Sequence, residues 1–305
     1  MKNTLLTILI LLMLLPGALL AGGNSSSSFK CNTKYPVLLL HGIFLRDQTL
    51  GYDYFGRIPE TLRDEGTTVF HGNTQAWYSH ESNAKMIRAK ILEITEGLGH
   101  GKVNIIAHSK GALETRVMLA SYPELKNKVA SFTSMAGPHR GSVLADLIFG
   151  IIPSWAHEFV TDIVNVFGLI QGDADPDSLS AGLSLTRANM AELNQILGDL
   201  NSGFSGIYCQ SWASKIKGLI PDIALQATSL VMTMAGESPN DGAVAVSSAK
   251  YARFRGVISG AWWCGGVSHF ASVDRGIMLI AGHTPGFDAR DFYIDMVKEL
   301  KDMGY

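Results

Sequence analysis

The stretch VNIIAHSKGALETRVM, residues 103–118, decides the fold that we expect for this chain. Its first part, Val103-Asn104-Ile105-Ile106, is an apolar run of the β type, and a helical pattern follows the serine. Ala107 and Gly111 stand two residues to either side of Ser109, so a strand and a helix can pack closely around a tight turn that presents the hydroxyl. A serine held in this way is typical of nucleophiles that form acyl esters, and Ser109 is our candidate nucleophile.

Strand and helix patterns alternate through the rest of the chain. This order predicts an α/β fold, a mostly parallel sheet with helices on both faces, in one domain over residues 35–305. The pattern predicts helices at 58–64, 83–98 and 290–301, and strands at 37–40, 67–70, 103–106, 129–135, 207–212 and 230–234.

A serine nucleophile needs a base to take its proton and an acid to orient that base. In folds of this type the chain order is serine, acid, histidine, which leaves His269 and His283 as candidate bases. We favour His269, because it lies in a glycine-bearing loop before an apolar stretch. Asp241 is the favoured acid, because it precedes a glycine in a turn near the end of a predicted strand. Glu237 and Asp222 are the alternatives.

The negative oxygen of a tetrahedral intermediate needs backbone N–H donors. One donor should be the residue after the nucleophile, Lys110. The other should come from the loop after the first strand, where His41 and Gly42 precede Ile43. We expect the N–H groups of Ile43 and Lys110 to form the oxyanion hole, with His41 bracing the loop.

Residues 143–172 interrupt the alternation with a long apolar insertion. It lies between two predicted strands, where a single connecting helix would suffice. One interpretation is a buried crossover helix. The other is a helical lid that covers an apolar site in water and exposes it at a lipid surface.

Composition limits the class of protein. The formal net charge is −2 and 47% of the 305 residues are hydrophobic, so we expect no nucleic-acid partner. Residues 1–23 combine Lys2, an apolar run from Leu5 to Leu15 and small residues at a cleavage site, which predicts a signal peptide and secretion to the periplasm or medium. The alternative is a membrane anchor, but the apolar run is short for a bilayer span and Pro16-Gly17 interrupts it. The serine-rich residues 24–34 are expected to form a flexible mature terminus.

The chain contains three cysteines, at positions 31, 209 and 264. An oxidising destination permits one disulfide and one leftover thiol, and the sequence leaves the pairing among Cys31, Cys209 and Cys264 open. Their spacings fit no zinc site.

Several segments together resemble the bacterial secreted triacylglycerol lipases of the Pseudomonas and Burkholderia type. The likeness runs in order through residues 35–42, 55–62, 102–109, 136–142, 240–242 and 268–270. It implies an α/β-hydrolase fold, a triad of Ser109, Asp241 and His269, an oxyanion hole of Ile43 and Lys110, and a lid near 143–172. It also implies a long-chain ester substrate met at a lipid–water interface. A short-chain carboxylesterase, a polyester depolymerase and a non-catalytic relative are the alternatives.

The sequence departs from this family at defined positions. Ala107 stands where the family usually has glycine, and Lys110 replaces the more common His or Gln. Many relatives bind calcium through residues two and six places after the histidine, which here are Ala271 and Arg275. An arginine offers no oxygen ligand, so we expect no calcium there, no other cofactor, and a positive charge from Arg275 instead. Some relatives depend on a dedicated folding chaperone, which the resemblance makes a candidate partner.

Overall fold

A computed structural model describes residues 29–43, 47–49, 52–148, 176–277, 280–281 and 284–305. The predicted signal peptide, residues 1–23, lies outside them. Of the predicted flexible terminus, residues 29–34 are described, and part of that prediction is wrong. Cys31 is buried and its N–H donates to the carbonyl of Glu65 at 2.9 Å, while the Lys34 N–H donates to the carbonyl of Tyr305 at 2.8 Å. These contacts pin the segment to the domain before residue 35.

Six strands form one sheet in the order β4-β1-β5-β6-β7-β8, and every neighbouring pair is parallel. The strands in it are β1 (Val37–Leu40), β4 (Val69–His71), β5 (Val103–His108), β6 (Val129–Met135), β7 (Tyr208–Ser214) and β8 (Arg253–Ile258). Short antiparallel pairs lie outside it, formed by β2 (Gln48–Thr49) with β3 (Tyr52–Asp53) and by β9 (Arg275–Ile277) with β10 (Ile280–Ala281). In a parallel sheet all carboxyl ends lie on one edge, where loops can bring catalytic groups together.

Helices cover both faces of the sheet. They are α1 (Ile58–Asp64), α2 (His80–Leu92), α3 (Lys110–Ser121), α4 (Val143–Ile148), α5 (Pro176–Leu183), α6 (Arg187–Leu197), α7 (Ile223–Met234), α8 (Val246–Ala249) and α9 (Ala289–Asp302). A π-helical turn, Glu93–Gly97, follows α2. Among the described residues no helix combines the length and apolarity that a membrane span requires.

Strand β1 shows how the core divides into two layers. Its side chains alternate, so Val37 and Leu39 pack with α1 and α9 on one face, while Leu38 and Leu40 pack with α2 and α3 on the other. All four side chains are fully buried. A run without polar residues is what a strand buried on both faces requires.

The predicted strand at 230–234 is wrong, because these residues are the end of helix α7. The buried residues Leu225, Thr228, Val231 and Met232 recur with helical spacing, and the Asp222 carboxylate caps the helix by accepting from the Leu225 N–H at 3.1 Å. A short apolar run does not by itself distinguish a strand from a helix.

The structure describes all three cysteines, and Cys31, Cys209 and Cys264 carry free, buried thiols. Cys31 belongs to the core layer beneath α1 and α9, whereas Cys209 belongs to the layer on the opposite face of the sheet. The Cys264 thiol faces the carbonyl of Ser259 at 3.5 Å. The sheet separates Cys31 from Cys209, and the structure pairs none of the three thiols.

Candidate active site

Ser109 sits at the turn between β5 and α3, as the sequence predicts. Its backbone has φ 55° and ψ −127°, a conformation that is sparsely populated for residues with a side chain. The backbone N–H of Ser109 donates to the carbonyl of Met135, at the end of β6, at 2.9 Å, which anchors the turn. This geometry lifts the side chain out of the strand direction at the carboxyl edge of the sheet.

Two glycines allow the elements around Ser109 to approach each other. A Cβ atom on Gly111 would lie 2.5 Å from the carbonyl oxygen of His41, and one on Gly42 would lie 2.7 Å from the Ser109 Cβ. Any other residue would therefore push the loop after β1 away from the serine. The structure thus explains why glycine stands at both positions.

Asp241 and His269 meet beside the end of β7. The Asp241 carboxylate accepts from the His269 Nδ1–H at 2.9 Å and from the Ser214 hydroxyl at 2.8 Å, both on Oδ2. Its Oδ1 accepts from the N–H groups of Ala243 and Val244, at 3.0 and 2.8 Å. Four donors fix the carboxylate, which in turn fixes the imidazole in the tautomer whose Nε2 is free to accept a proton.

The competing candidates occupy other places. Asp222 caps α7, and Glu237 pairs with Arg187 at 3.6 Å. His283 lies outside the described residues. Within the described part of the chain, the structure therefore pairs the favoured acid with the favoured base, although Asp241 follows a helix rather than the strand that we predicted before it.

The expected oxyanion donors flank the nucleophile. Lys110 is the first residue of α3, so its N–H has no partner within the helix and remains available. Ile43 lines the same pocket as Ser109, in the loop after β1. His41 braces that loop, because its Nε2 lies 2.9 Å from the hydroxyl oxygen of Thr74.

The Lys110 side chain points away from the candidate oxyanion hole and into the core. Its ammonium is buried against the carboxylate of Glu114, one turn along α3, and only 1% and 2% of the two side chains are exposed. Glu114 also accepts from the Asn83 side-chain amide at 2.6 Å. The Lys110 side chain therefore belongs to the core, which leaves the backbone N–H as the group of this residue expected at the site.

A polar chain that sequence reasoning missed runs beside the triad through His108. The His108 Nδ1 lies 2.8 Å from the Tyr54 hydroxyl, and its Nε2 lies 3.3 Å from the Ser272 hydroxyl. Ser272 must donate its only proton to the carbonyl of His269, at 2.7 Å, because a carbonyl only accepts. Hence His108 donates from Nε2 to Ser272, and Tyr54 donates to Nδ1.

Both rings in this chain are neutral. Burial, followed by the neighbouring His269, holds the pKa of His108 well below its usual range, and burial raises the pKa of Tyr54. The His108 ring packs on that of His269 with 4.4 Å between centroids. The hydrogen bond from Ser272 to the backbone of His269 was predictable, because serine hydroxyls often bond to a carbonyl three residues earlier. The contact of Ser272 with His108 was not predictable, because the two residues are 164 positions apart in the sequence.

An apolar pocket opens over these groups and encloses about 770 Å³ of empty space, part of it open to solvent. Ser109 and His269 both line it. The apolar side of its wall comes from Ile43, Trp77, Leu144, Ala145, Ile148, Leu185, Leu225, Val244 and Phe270. Of the predicted lid at 143–172, only residues 143–148 are described. They form α4, which supplies part of this wall.

The calcium positions of the resembled family do not fit a metal here. Ala271 has no ligating atom, and the Arg275 guanidinium is buried, with its Nε donating to the carbonyl of Tyr54 at 3.3 Å. The adjacent Asp274 is already engaged by the guanidinium of Arg57, at 2.6 and 2.8 Å. Among the described residues no group of three or more His, Cys, Asp or Glu side chains is placed to hold a metal ion.

Comparison with known proteins agrees with the fold. Residues 35–224 match the family described as the α/β hydrolase fold. A triacylglycerol lipase of Vibrio cholerae is 32% identical over 237 residues, which cover 71% of this chain and 74% of that lipase. A triacylglycerol lipase of Pseudomonas fragi is 32% identical over 204 residues, covering 61% and 69% of the two chains.

Solved structures confirm the predicted fold class. The mature lipase of Bacillus licheniformis superposes with a TM-score of 0.60 at 22% identity, covering 79% of this chain and 87% of that one. The family resemblance read from the sequence is likewise confirmed by its relatives. The chain therefore belongs to the α/β hydrolase family, and within it to the carboxylic ester hydrolases that include the bacterial triacylglycerol lipases.

Proposed function

We propose that this protein is a lipase that hydrolyses long-chain acyl esters, triacylglycerols among them, through an acyl-enzyme on Ser109. The observation that carries the proposal is the Asp241–His269 pair, at 2.9 Å, beside a pocket that Ser109 and His269 share. The pocket wall is mostly apolar, which suits a long acyl chain better than a short polar ester.

In the first half-reaction the Ser109 Oγ attacks the ester carbonyl carbon while His269 Nε2 takes the hydroxyl proton. The oxygen of the tetrahedral intermediate accepts from the N–H groups of Ile43 and Lys110. Asp241 stabilises the imidazolium through the bond to Nδ1. The intermediate collapses when the C–O bond to the alcohol breaks, and His269 returns the proton to the departing alcohol.

In the second half-reaction a water molecule attacks the acyl-enzyme carbonyl and loses its proton to His269. The second intermediate breaks its bond to the Ser109 Oγ, which regains a proton from His269, and the fatty acid leaves. Each half-reaction uses the same donors and the same base, so the site ends as it began.

A chain-length profile tests the substrate class. We expect p-nitrophenyl esters and emulsified triacylglycerols with long acyl chains to be hydrolysed faster than short ones. Ser109→Ala should lower kcat by about 10⁴-fold or more, and Asp241→Asn by a comparable factor. A maximum at two to four carbons, with no gain from an emulsion, would favour the short-chain esterase or polyester depolymerase instead.

We also propose that the activity needs no calcium at the position after the histidine. The donor set supports this, because Ala271 and the buried Arg275 replace the two oxygen ligands. The Arg275 guanidinium donates to the carbonyl of Tyr54 and supplies a positive charge after the histidine without a metal ion. Activity measured after EDTA treatment should equal that of the untreated enzyme. Loss with EDTA and recovery with calcium would contradict the proposal.

Secretion is part of the same proposal. The leader pattern in residues 1–23 supports export, and a lipid ester outside the cell is a substrate that an exported enzyme can reach. Amino-terminal sequencing of the mature protein from a producing culture should find a new terminus near residue 24. A mature protein that retains Lys2 would contradict cleavage.

A further inference from the structure

Helix α7 presents an apolar face to solvent. The helix contains no charged residue, and its inward positions Leu225, Val231 and Met232 are buried. The outward positions Ile223, Ala227, Leu230 and Met234 follow a spacing of four, three and four residues along one face. Ile223 is 82% exposed, Leu230 58% and Met234 56%. Three large apolar side chains exposed along one face of a helix form a patch, and such patches mark candidate contact surfaces.

A second exposed apolar segment is fastened beside the start of α7. Trp262 is 90% exposed and Trp263 60%, in the loop that leads from β8 towards His269. The Gly218 N–H donates to the carbonyl of Gly265 at 3.0 Å, and the Lys217 ammonium donates to the carbonyl of Ala261 at 2.6 Å.

The next residue, Leu219, is 89% exposed. A Cβ atom on Gly265 would overlap its carbonyl group, so the two loops touch through their backbones. We call Leu219, Ile223, Leu230, Met234, Trp262 and Trp263 the apolar rim.

The apolar rim lies on two segments that also contribute to the candidate active site. Leu225, on the inward face of α7, lines the pocket together with Ser109 and His269. The tryptophan loop continues directly into the segment that carries His269, whose N–H donates to the carbonyl of Asp241 at 2.9 Å. A surface that held the rim would therefore bind the two segments that supply part of the pocket wall and lead to His269.

We propose that the apolar rim anchors the enzyme on a lipid–water interface, an inference that rests on the proposed function. Indole side chains favour such interfaces, because an apolar ring system carries a polar N–H at its edge. The rim has no acidic side chain, and the exposed Lys217 at its border can face phosphate groups of lipids. A long-chain ester is poorly soluble, so anchoring at this place brings its source to the pocket.

Vesicle binding tests the anchor directly. The protein carries Ser109→Ala, so that it binds without turnover, and is titrated with phosphatidylcholine vesicles that contain brominated chains near the headgroup. We expect quenching and a blue shift of the tryptophan emission. The double variant Trp262→Gln/Trp263→Gln should bind at least about tenfold more weakly. Leu98→Gln is the matched control, because Leu98 is 54% exposed in the loop before β5, at the opposite edge of the sheet.

An activity measurement separates anchoring from chemistry. With Ser109 present, the double variant should hydrolyse soluble p-nitrophenyl acetate at the unaltered rate and emulsified long-chain triacylglycerol at least about fivefold more slowly. Leu219→Gln/Ile223→Gln, on the other segment of the rim, should act in the same direction. This second pair keeps the test valid where the tryptophan variant folds poorly.

Two results would overturn the inference. Equal vesicle binding by the double variant and the Leu98 control removes the anchor. A dimer in sedimentation that the double variant loses, with vesicle binding unchanged, assigns the rim to a second copy of the chain. If the enzyme hydrolyses no ester at all, the proposed function fails, whereas vesicle binding still decides for or against the rim.

Discussion

Helices α3 and α7 are both 12 residues long, but the helix with charged residues is buried and the helix without them is partly exposed. The first ten residues of α3 are all buried, and they include Lys110, Glu114 and Arg116. Helix α7 carries no charge, yet Ile223, Leu230 and Met234 are more than half exposed. From polarity alone, α3 would be expected at the surface and α7 in the core.

The difference lies in the partners that each helix finds within the chain. Lys110 pairs with Glu114, and the Arg116 guanidinium donates to the Asn194 side chain at 2.9 Å and lies 5.2 Å from the centre of the Tyr251 ring. Burial still lowers the pKa of Arg116, to about 10, although Tyr251 opposes the shift. The outward face of α7 has no such partners among the described residues, and so points to a partner outside the chain.

The strongest test of this comparison breaks the charge pair in α3. Glu114→Gln leaves the Lys110 ammonium buried without a compensating charge, and should lower the free energy of unfolding by about 3–5 kcal/mol. Urea denaturation measures the loss. The double variant Lys110→Met/Glu114→Leu removes both charges and keeps the backbone N–H of residue 110. It should recover most of the loss, and a double variant as unstable as the single one would contradict the role assigned to pairing.

A second set of charged partners, outside α3, should make the free energy of unfolding depend on pH. His71, at the end of β4, has Nε2 3.2 Å from the Asp53 carboxylate and Nδ1 3.7 Å from that of Asp47. Burial alone would lower the pKa of His71, but these two carboxylates outweigh it and raise the pKa to about 9. The folded state therefore holds the proton more tightly than the unfolded chain does.

The stabilisation by His71 is complete below about pH 6.5, the ordinary pKa of histidine, and is lost as pH rises through about 9. We expect the free energy of unfolding to fall by up to about 3 kcal/mol across that window, since one pKa unit corresponds to about 1.4 kcal/mol. In His71→Gln this part of the pH dependence should vanish. Identical slopes in the two proteins would contradict the assignment.

A smaller effect distinguishes paired from unpaired hydroxyls in one core layer. Tyr54 and Tyr293 are both buried beside Phe55, at 5.3 and 6.4 Å between ring centres. Tyr54 donates to His108, whereas the Tyr293 hydroxyl finds no hydrogen-bond partner among the described residues. Tyr54→Phe should cost about 1–2 kcal/mol of stability and also lower kcat, while Tyr293→Phe should cost less than about 0.5 kcal/mol. Equal losses in thermal unfolding would count against the His108 chain.

The smallest expected effect is at the exposed face of α7. Leu230→Gln should change the free energy of unfolding by less than about 0.5 kcal/mol, because the side chain contributes little to the core. Met232→Ala, two residues on and fully buried, serves as the comparison and should cost at least about 2 kcal/mol. A large loss from Leu230→Gln would show that the face is packed inside the chain.

The nucleophile turn and the triad candidates were predictable because their signals are local or ordered. Ala107, Ser109 and Gly111 meet the steric needs of one turn, and chain order alone reduced the candidate bases to His269 and His283. The alternation of strands and helices predicted the parallel sheet for the same reason. The structure adds that Asp241 lies 2.9 Å from the His269 ring, whereas Glu237 pairs with Arg187.

Other features depend on contacts that no short window of sequence contains. The apolar run at 230–234 suits a strand and a helix equally, and the cap at Asp222 decides between them. The hydrogen bonds of His108 join Tyr54, in the turn after β3, to Ser272, which is 164 positions from His108 in the sequence. The apolar rim combines helix α7 and the segment before it with the tryptophan loop, and strand β8 separates these two parts in the sequence.

The hydrogen-bonded chain from Tyr54 through His108 to Ser272 has a consequence for redesign of this enzyme. It fastens the catalytic turn to the histidine loop without using α4, α7 or the tryptophan loop. The tryptophan loop and the outward face of α7 are therefore the segments to vary when other esters are to be admitted. The inward face of α7 must stay, because its Thr228 hydroxyl donates to the carbonyl of Gly242 beside Asp241. Libraries aimed at new substrates should vary the two former segments and leave Tyr54, His108 and Ser272 unaltered.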